Sequence, residues 1–299
     1  DDLVCRIGGD EFALILRGCS REDARRIAES VCEAVAGLRF AWEGREFRIG
    51  ASIGFATIDT GVASVADVLH KADHACYVVK RAGRGRVSEF EADADGGAAA
   101  LPPASGPVTI DVAGSFDPWR GVEPEYPAHA GDSEARDFQG AGGTHYQNST
   151  GRNDIVACKV ARDAKQVYFY VRTSAPITPA SDPNWMWLLI RTGDRPDRNW
   201  EGFDFIVNRR VDPDGTAWLE CSQGGWKWEA VDKVQLRVAG TEMQLAIPRE
   251  ALGLAAGTTA TSLDFKWLDN AQQPGDILDA YVSGDSAPAG RFRYRYVAE

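Results

Sequence analysis

The chain has 299 residues, with 33 Lys and Arg against 44 Asp and Glu and a formal net charge of −11. That length exceeds one typical compact core and points to two domains. A hydrophobic share of 44% beside 26% charged residues excludes a disordered polymer. No apolar run nears the roughly 18–20 residues that cross a bilayer, so no membrane span is expected in this segment.

The opening Asp1-Asp2-Leu3-Val4 has no Met, basic region or apolar stretch, so it reads as the continuation of a longer polypeptide with no secretion signal in view. In chain order, apolar runs at 3–7 and 11–16 flank Gly8-Gly9-Asp10, the pattern of a tight hairpin. Ser20 is placed as the N-cap of a helix, with Asp23 three positions on. Ala24, Ile27, Ala28, Val31, Cys32 and Val35 then recur at helical spacing until Gly37. Runs at 39–42 and 46–58 flank a Glu43-Gly44 turn. A second helix is expected over 65–81, with Val68, Leu69, Ala72, Ala75, Cys76 and Val79 as its buried stripe, then a short strand at 87–90. These elements make an α/β sandwich missing its beginning.

Residues 91–107 are built from Ala, Gly, Pro and Asp without periodicity, the composition of a linker. Beyond it, ten short runs read as strands, at 156–160, 166–172, 186–192, 203–207, 217–221, 234–238, 243–247, 263–268, 278–282 and 292–297, with one helical turn at 248–252. That density of strands predicts an all-β sandwich. The domains are therefore expected at 1–90 and 108–299.

Charge and aromatics divide the same way. Residues 1–90 carry a net charge of −1 and residues 91–299 a net charge of −10, and eight of nine tryptophans follow residue 100. The acidic part would gain no counterion release on a phosphate backbone, which argues against nucleic acid as its partner. None of the six cysteines lies in a C-x-x-C pair, so zinc-ribbon and thioredoxin-like sites have no support. Cys158 and Cys221 form a candidate disulfide only in an oxidising compartment.

Arg6-Ile7-Gly8-Gly9-Asp10-Glu11-Phe12 is the most informative string. Two glycines let a substrate approach the backbone without a Cβ in the way. Two adjacent carboxylates offer oxygen ligands to a hard divalent cation, and such a cation neutralises charge during phosphoryl transfer. An ordinary Gly-Gly hairpin with solvated acids explains this string alone equally well. Further motifs follow in order: Ala24-Arg25 and Ala28-Glu29, Ser52-Ile53-Gly54, and Ala72-Asp73-x-Ala75-Cys76-Tyr77-x-x-Lys80-x-x-Gly83-Arg84. Together they resemble the GGDEF family of diguanylate cyclases, which condense two GTP into cyclic di-GMP.

The resemblance implies that Gly8 and Gly9 turn over the nucleotide. Asp10 and Glu11 would supply catalysis and hold Mg²⁺ or Mn²⁺, and Lys80 and Arg84 would face the GTP phosphates. Taken without the family, Lys80 and Arg84 are an exposed basic helix end. Asp2 falls where the family's product-inhibition motif places its Asp. The resemblance also implies a cytoplasmic location and a homodimer. The family's usual Gly-Arg-Asn is Gly83-Arg84-Gly85 here. The family's first strand, with its own metal-binding Asp, would precede residue 1, so this chain alone is expected to be inactive as a cyclase.

The second half resembles the family 9 carbohydrate-binding modules and related DOMON-like sandwiches. The resemblance rests on Asp111-x-x-Gly114-x-Phe116-x-x-Trp119, 167–171, 199–205, 243–249 and Phe265-Lys266-Trp267-x-Asp269-Asn270. Such modules stack sugars on aromatic faces and often hold structural Ca²⁺. Trp185, Trp187, Trp200, Trp226, Trp228 and Trp267 are the aromatic stock, although core packing explains most tryptophans in a sandwich. Trp185 and Trp187 are expected to share one strand face, with Trp267, Asp269 and Asn270 as a second candidate sugar site. Asn153-Asp154 and Asp269-Asn270 are candidate calcium ligands that turn formation explains as well. His129 and His145 have no metal-ligand spacing.

Two readings result. One is a diguanylate cyclase carrying a carbohydrate-binding-like module. The other is a glycan-binding protein in which the first half is a relic or a fusion of gene fragments. Cyclic di-GMP belongs to the cytoplasm whereas such sandwiches are usually exported, a conflict the sequence leaves open.

Overall fold

A computed structural model describes residues 2–8, 11–42, 45–58, 68, 71–72, 75–76, 79, 85–90, 101–128, 130–131, 136–139, 145–193, 198–255, 257–276, 279, 283–288 and 293–299. The chain divides into two units, Asp1–Ala100 and Leu101–Glu299.

In the first unit, β1 (Leu3–Gly8) and β2 (Glu11–Ile15) pair antiparallel, with a register shift between Arg6 and Gly8. Helix α1 (Arg21–Gly37) starts where expected: Ser20 is extended and its side chain accepts the Asp23 amide. Ala28 and Cys32, one turn apart, are its buried residues. β3 (Phe40–Trp42) and β4 (Arg45–Phe47) form a second hairpin. The run expected as one strand over 46–58 instead breaks after Phe47, because β5 (Ile53–Phe55) pairs in parallel with β6 (Val87–Glu89).

A parallel pair needs a long crossover. Between β5 and β6, the described residues Val68, Lys71, Ala72, Ala75, Cys76 and Val79 are helical, and Ala75 and Val79 are buried. The other positions of the expected 65–81 helix lie outside the described residues. A Cβ built on Gly54 would stand 2.0 Å from the Ala72 carbonyl oxygen and 2.1 Å from the Cys76 amide nitrogen. Helix backbone rests directly on the strand there, and only glycine admits it. The β6 residue Glu89 also holds α1, accepting from Arg25 at 3.0 Å.

The second unit contains β7 (Glu125–Pro127), β8 (Arg136–Gln139), β9 (His145–Asn148), β10 (Ile155–Arg162), β11 (Gln166–Thr173), β12 (Trp187–Arg191) and β13 (Phe205–Val211). It continues with β14 (Ala217–Ser222), β15 (Trp228–Ala239), β16 (Glu242–Pro248), β17 (Thr261–Asp269), β18 (Asp285–Ala287) and β19 (Tyr294–Ala298). Apart from the β8–β9 hairpin, they join in the order β18-β17-β12-β13-β14-β15-β16-β11-β10-β7, with β19 on β17. The long strand β15 folds the sheet on itself: its first half pairs with β14 and its second half with β16. At the far end the Ile155 amide donates to Asp285 Oδ2 at 2.6 Å, which brings β18 back to β10.

Inward residues of the two halves make one core. Val160, Phe169, Leu245 and Ile247 meet Leu188, Phe205, Leu219 and Phe265. The outer face of β10, β11 and β16 is covered by Ile110, Val112 and Trp119, and Trp119 Nε1 donates to Gln244 Oε1 at 2.7 Å. Residues 101–107, expected as linker, belong to the second unit. Ser105 shows why, because its amide donates to the Glu123 carbonyl at 2.9 Å. The expected strand at 278–282 lies mostly outside the described residues. Asp279 is helical, its carbonyl accepting the Ser283 amide. Cys158 and Cys221 are buried free thiols, not a disulfide. Among the described residues no helix is long and apolar enough to cross a membrane.

Candidate functional site

The first candidate site is the tip of the β1–β2 hairpin. Gly8 ends β1 opposite Glu11, which opens β2. Gly9, Asp10, Lys80, Arg84 and the Glu11 side chain lie outside the described residues. Asp2 lies at the other end of the hairpin. Its exposed carboxylate accepts the Arg17 amide at 3.1 Å, tying the residue before β1 to the segment after β2. Six residues of β1 separate Asp2 from the tip, about 20 Å of extended chain. Asp2 and the Gly8–Glu11 pair are therefore two places on one hairpin.

The hairpin, the capped helix and the strand–helix contact at Gly54 occur in one stretch of sequence. Residues 1–86 match the family described as diguanylate cyclase, GGDEF domain. Over 90 residues the GGDEF segment is 48% identical to the probable diguanylate cyclase DgcE of Escherichia coli, an alignment covering 30% of this chain and 8% of that protein. It is 36% identical over 86 residues to diguanylate cyclase DgcP of Pseudomonas aeruginosa, covering 29% and 13%. Diguanylate cyclase A of Treponema denticola is 30% identical over 87 residues, covering 29% and 24%. The chain thus spans a quarter or less of the length of these relatives.

The second unit overturns the expected sugar platform. Trp185, Trp187 and Trp267 are 3%, 3% and 0% exposed, so none of the three presents an open indole face. Trp185 and Trp187 do not share a face either. Met186 between them has φ +43°, which breaks the alternation of an extended strand. Trp185 enters the central core and Trp187 joins an outer cluster. Trp185 Nε1 donates to the Thr178 carbonyl at 2.7 Å.

Asp269 and Asn270 serve the same corner. Asp269 is fully buried, accepts the Met186 amide at 2.9 Å and pairs with Arg152 Nε at 2.9 Å. Burial raises its carboxyl pKa, and the Arg152 guanidinium and the Met186 amide oppose that rise. The Asn270 amide donates to the Asn184 carbonyl at 2.9 Å, and its side chain faces Asn148 and Thr150.

The expected calcium ligands are likewise engaged. Both Asp154 carboxylate oxygens accept the Gly131 amide, and Asn153 exchanges hydrogen bonds with Thr178. Among the described residues no group of three or more His, Cys, Asp or Glu side chains could hold a metal ion. His145 is exposed against Asp137, and His129 lies outside the described residues.

Four of the six tryptophans in the expected stock do gather. Trp187 and Trp200 pack with Phe203 on the outer face of β12, β13 and β17, with half-buried Trp226 and Trp228 against them. Trp200 and Trp226 centroids lie 4.5 Å apart at 69°, and Trp226 and Trp228 lie 5.5 Å apart at 86°. Trp228 Nε1 is buried without a hydrogen-bond partner.

A feature missed by sequence reasoning lies on the same sheet, where Arg191, Arg293 and Arg295 surround Asp264. Its one linear signal is the period-two run Arg291-Phe292-Arg293-Tyr294-Arg295.

Proposed function

We propose that residues 1–86 work as part of a diguanylate cyclase domain, joining two GTP into cyclic di-GMP with release of two pyrophosphates. The observation that carries this reading is the family match over 1–86, a stretch that contains Gly8-Gly9-Asp10-Glu11 and in which Gly8 of β1 pairs with Glu11 of β2. The donor chemistry suits the expected metal: adjacent Asp10 and Glu11 carboxylates on a glycine-flanked turn offer the oxygen ligands that Mg²⁺ or Mn²⁺ prefers. Such a cation, when bound, neutralises charge that builds up at the transferring phosphoryl group. Gly8 and Gly9 leave room for the nucleotide, and Lys80 and Arg84 are the cations that would hold its phosphates. Each site holds one GTP, so the reaction needs two copies face to face. GTP places this unit in the cytoplasm. The test is mass-spectrometric detection of cyclic di-GMP from GTP and Mg²⁺, in a protein that carries the whole GGDEF domain. A polypeptide of 1–299 alone is expected to make none.

For the second unit, the half-buried Trp226 and Trp228 favour a binding role over a catalytic one. Two indoles at 86° form a corner against which a sugar ring can bury its C–H face. This reading replaces Trp185, Trp187 and Trp267 with Trp226 and Trp228 as the stacking residues. Calorimetry of the chain with neutral sugars, wild type against Trp226→Ala and Trp228→Ala, tests it. Sugar binding without any cyclase activity in the whole protein would favour the second reading, in which the GGDEF segment is a relic.

A further inference from the structure

The outer face of the second unit carries a row of cations beside its aromatic cluster. In the register of β12, β17 and β19, Arg191 stands opposite Asp264, and Asp264 opposite Arg295. Arg191 Nη1 lies 3.2 Å from Asp264 Oδ2, and Arg295 Nη1 lies 3.9 Å from Oδ1. Arg293 Nε lies 4.0 Å from Oδ2. Three guanidinium groups therefore share one carboxylate, in a part of the chain whose net charge is strongly negative. The nearby Asp204 is already committed, since its Oδ2 accepts the Thr192 and Gly193 amides at 2.8 and 2.9 Å.

The row opens onto a cleft of about 160 Å³ whose lining includes Arg191, Thr192, Ser262, Asp264 and Arg295. Thr192 Oγ1, in that lining, is buried and has no hydrogen-bond partner. Arg191 and Arg295 are 44% and 67% exposed, so both can turn toward a ligand, whereas Asp264 is 12% exposed and fixed. Arg293 is anchored, with its guanidinium 5.2 Å above the Phe203 ring and Nη1 donating to the Gly202 carbonyl. The planar fork of a guanidinium matches the geometry of an oxyanion, and charge-assisted hydrogen bonds are the strong ones.

We propose that Arg191 and Arg295 form an oxyanion-binding site, with Asp264 as the internal anion that holds them in place between ligands and Arg293 anchored beside them. The ligand class is a carboxylate, sulfate or phosphate group, either as a free ion or carried on a larger molecule. The site stands independently of the sugar reading, because an inorganic ion needs no aromatic contact.

The test uses the 1–299 chain at constant ionic strength, with chloride as the balancing ion. Calorimetry would follow sulfate, phosphate, glucuronate and uncharged glucose. Saturable binding of the anions is expected. Tighter glucuronate than sulfate identifies a carried carboxylate, and the reverse identifies a free ion. Arg191→Gln and Arg295→Gln should each weaken binding by about fivefold or more. Asp264→Asn should tighten it, because the competing carboxylate is gone. Circular dichroism and the thermal midpoint check that each variant is folded. No saturable anion binding in the wild type would overturn the proposal. So would affinities unchanged in both arginine variants, or weakened binding in a folded Asp264→Asn protein. Glucose binding without anion binding would leave the sugar reading standing and remove this one.

Discussion

Trp185 and Trp187 face opposite sides of the second unit's sheet although a single residue separates them. The left-handed φ of Met186 makes the switch, and the Asp269 carboxylate secures it by accepting the Met186 amide. Core and surface roles among the tryptophans should therefore separate on mutation. Trp267→Ala and Trp185→Ala should each cost about 3–5 kcal/mol of stability, as cavities in a packed core do. Trp226→Ala should cost clearly less, since that ring is half-buried, yet it should remove any sugar binding. Urea unfolding followed by fluorescence measures the first effect and calorimetry the second.

Arg152 and Asp269 form a pair in which the arginine side chain is 10% exposed and the carboxylate fully buried. Removing the arginine alone leaves a buried carboxylate without its cation. Arg152→Ala should cost about 3–5 kcal/mol. Adding Asp269→Asn should recover part of that loss, because a neutral amide needs no counter-charge. A double-mutant cycle by chemical denaturation gives the interaction directly.

Gly54 explains a motif position by contact alone. Gly54→Ala would force the Ala72–Cys76 helix backbone away from β5, since the added carbon meets main-chain atoms that cannot rotate aside. A loss of about 3 kcal/mol is expected in the first unit. Hydrogen exchange of amides in α1 and β5 should report it, with the second unit unchanged.

Asp163 gives the second unit an acid-sensitive turn. Its carboxylate accepts the Lys165 and Gln166 amides at 2.7 and 2.8 Å, and the Tyr168 and Thr109 hydroxyls at 2.6 and 2.8 Å. Burial pushes its pKa up, but these hydrogen bonds prevail and hold it below the ordinary carboxylate value. A depressed folded pKa means that the unfolded chain takes up the proton first. The stabilisation is therefore complete above the ordinary carboxylate range and is lost as pH falls through the depressed value. Asp163→Asn should lower the denaturation midpoint near about pH 7, and the difference should shrink as pH falls below the ordinary carboxylate range.

Much of the architecture was legible because it depends on local pattern. Ser20 capped α1, Gly37 ended it, and the short aromatic and aliphatic runs at 166–172 and 243–247 appeared as paired strands. The strands at 125–127 and 285–287 escaped notice, since each is three residues long and held by partners distant in sequence. The Trp185 and Trp187 expectation failed at one backbone angle that the sequence Asn184-Trp185-Met186 does not announce. Asp269-Asn270 looked like a polar site, but its partners Arg152 and Met186 come from segments far along the chain. The arginine row was hidden for the same reason, with Arg191 and Arg295 joined only through Asp264 on the strand between them.

The most direct test of the whole account is the rate of cyclic di-GMP formation from GTP and Mg²⁺ in a protein carrying the complete GGDEF domain, compared with its Glu11→Ala and Lys80→Ala variants. The account predicts product from the wild type and none above background from Glu11→Ala. Lys80→Ala should raise the GTP concentration required with less effect on the maximal rate, as loss of a phosphate contact already made in the ground state does. Undiminished synthesis by Glu11→Ala, or no product from a folded wild type, would contradict it.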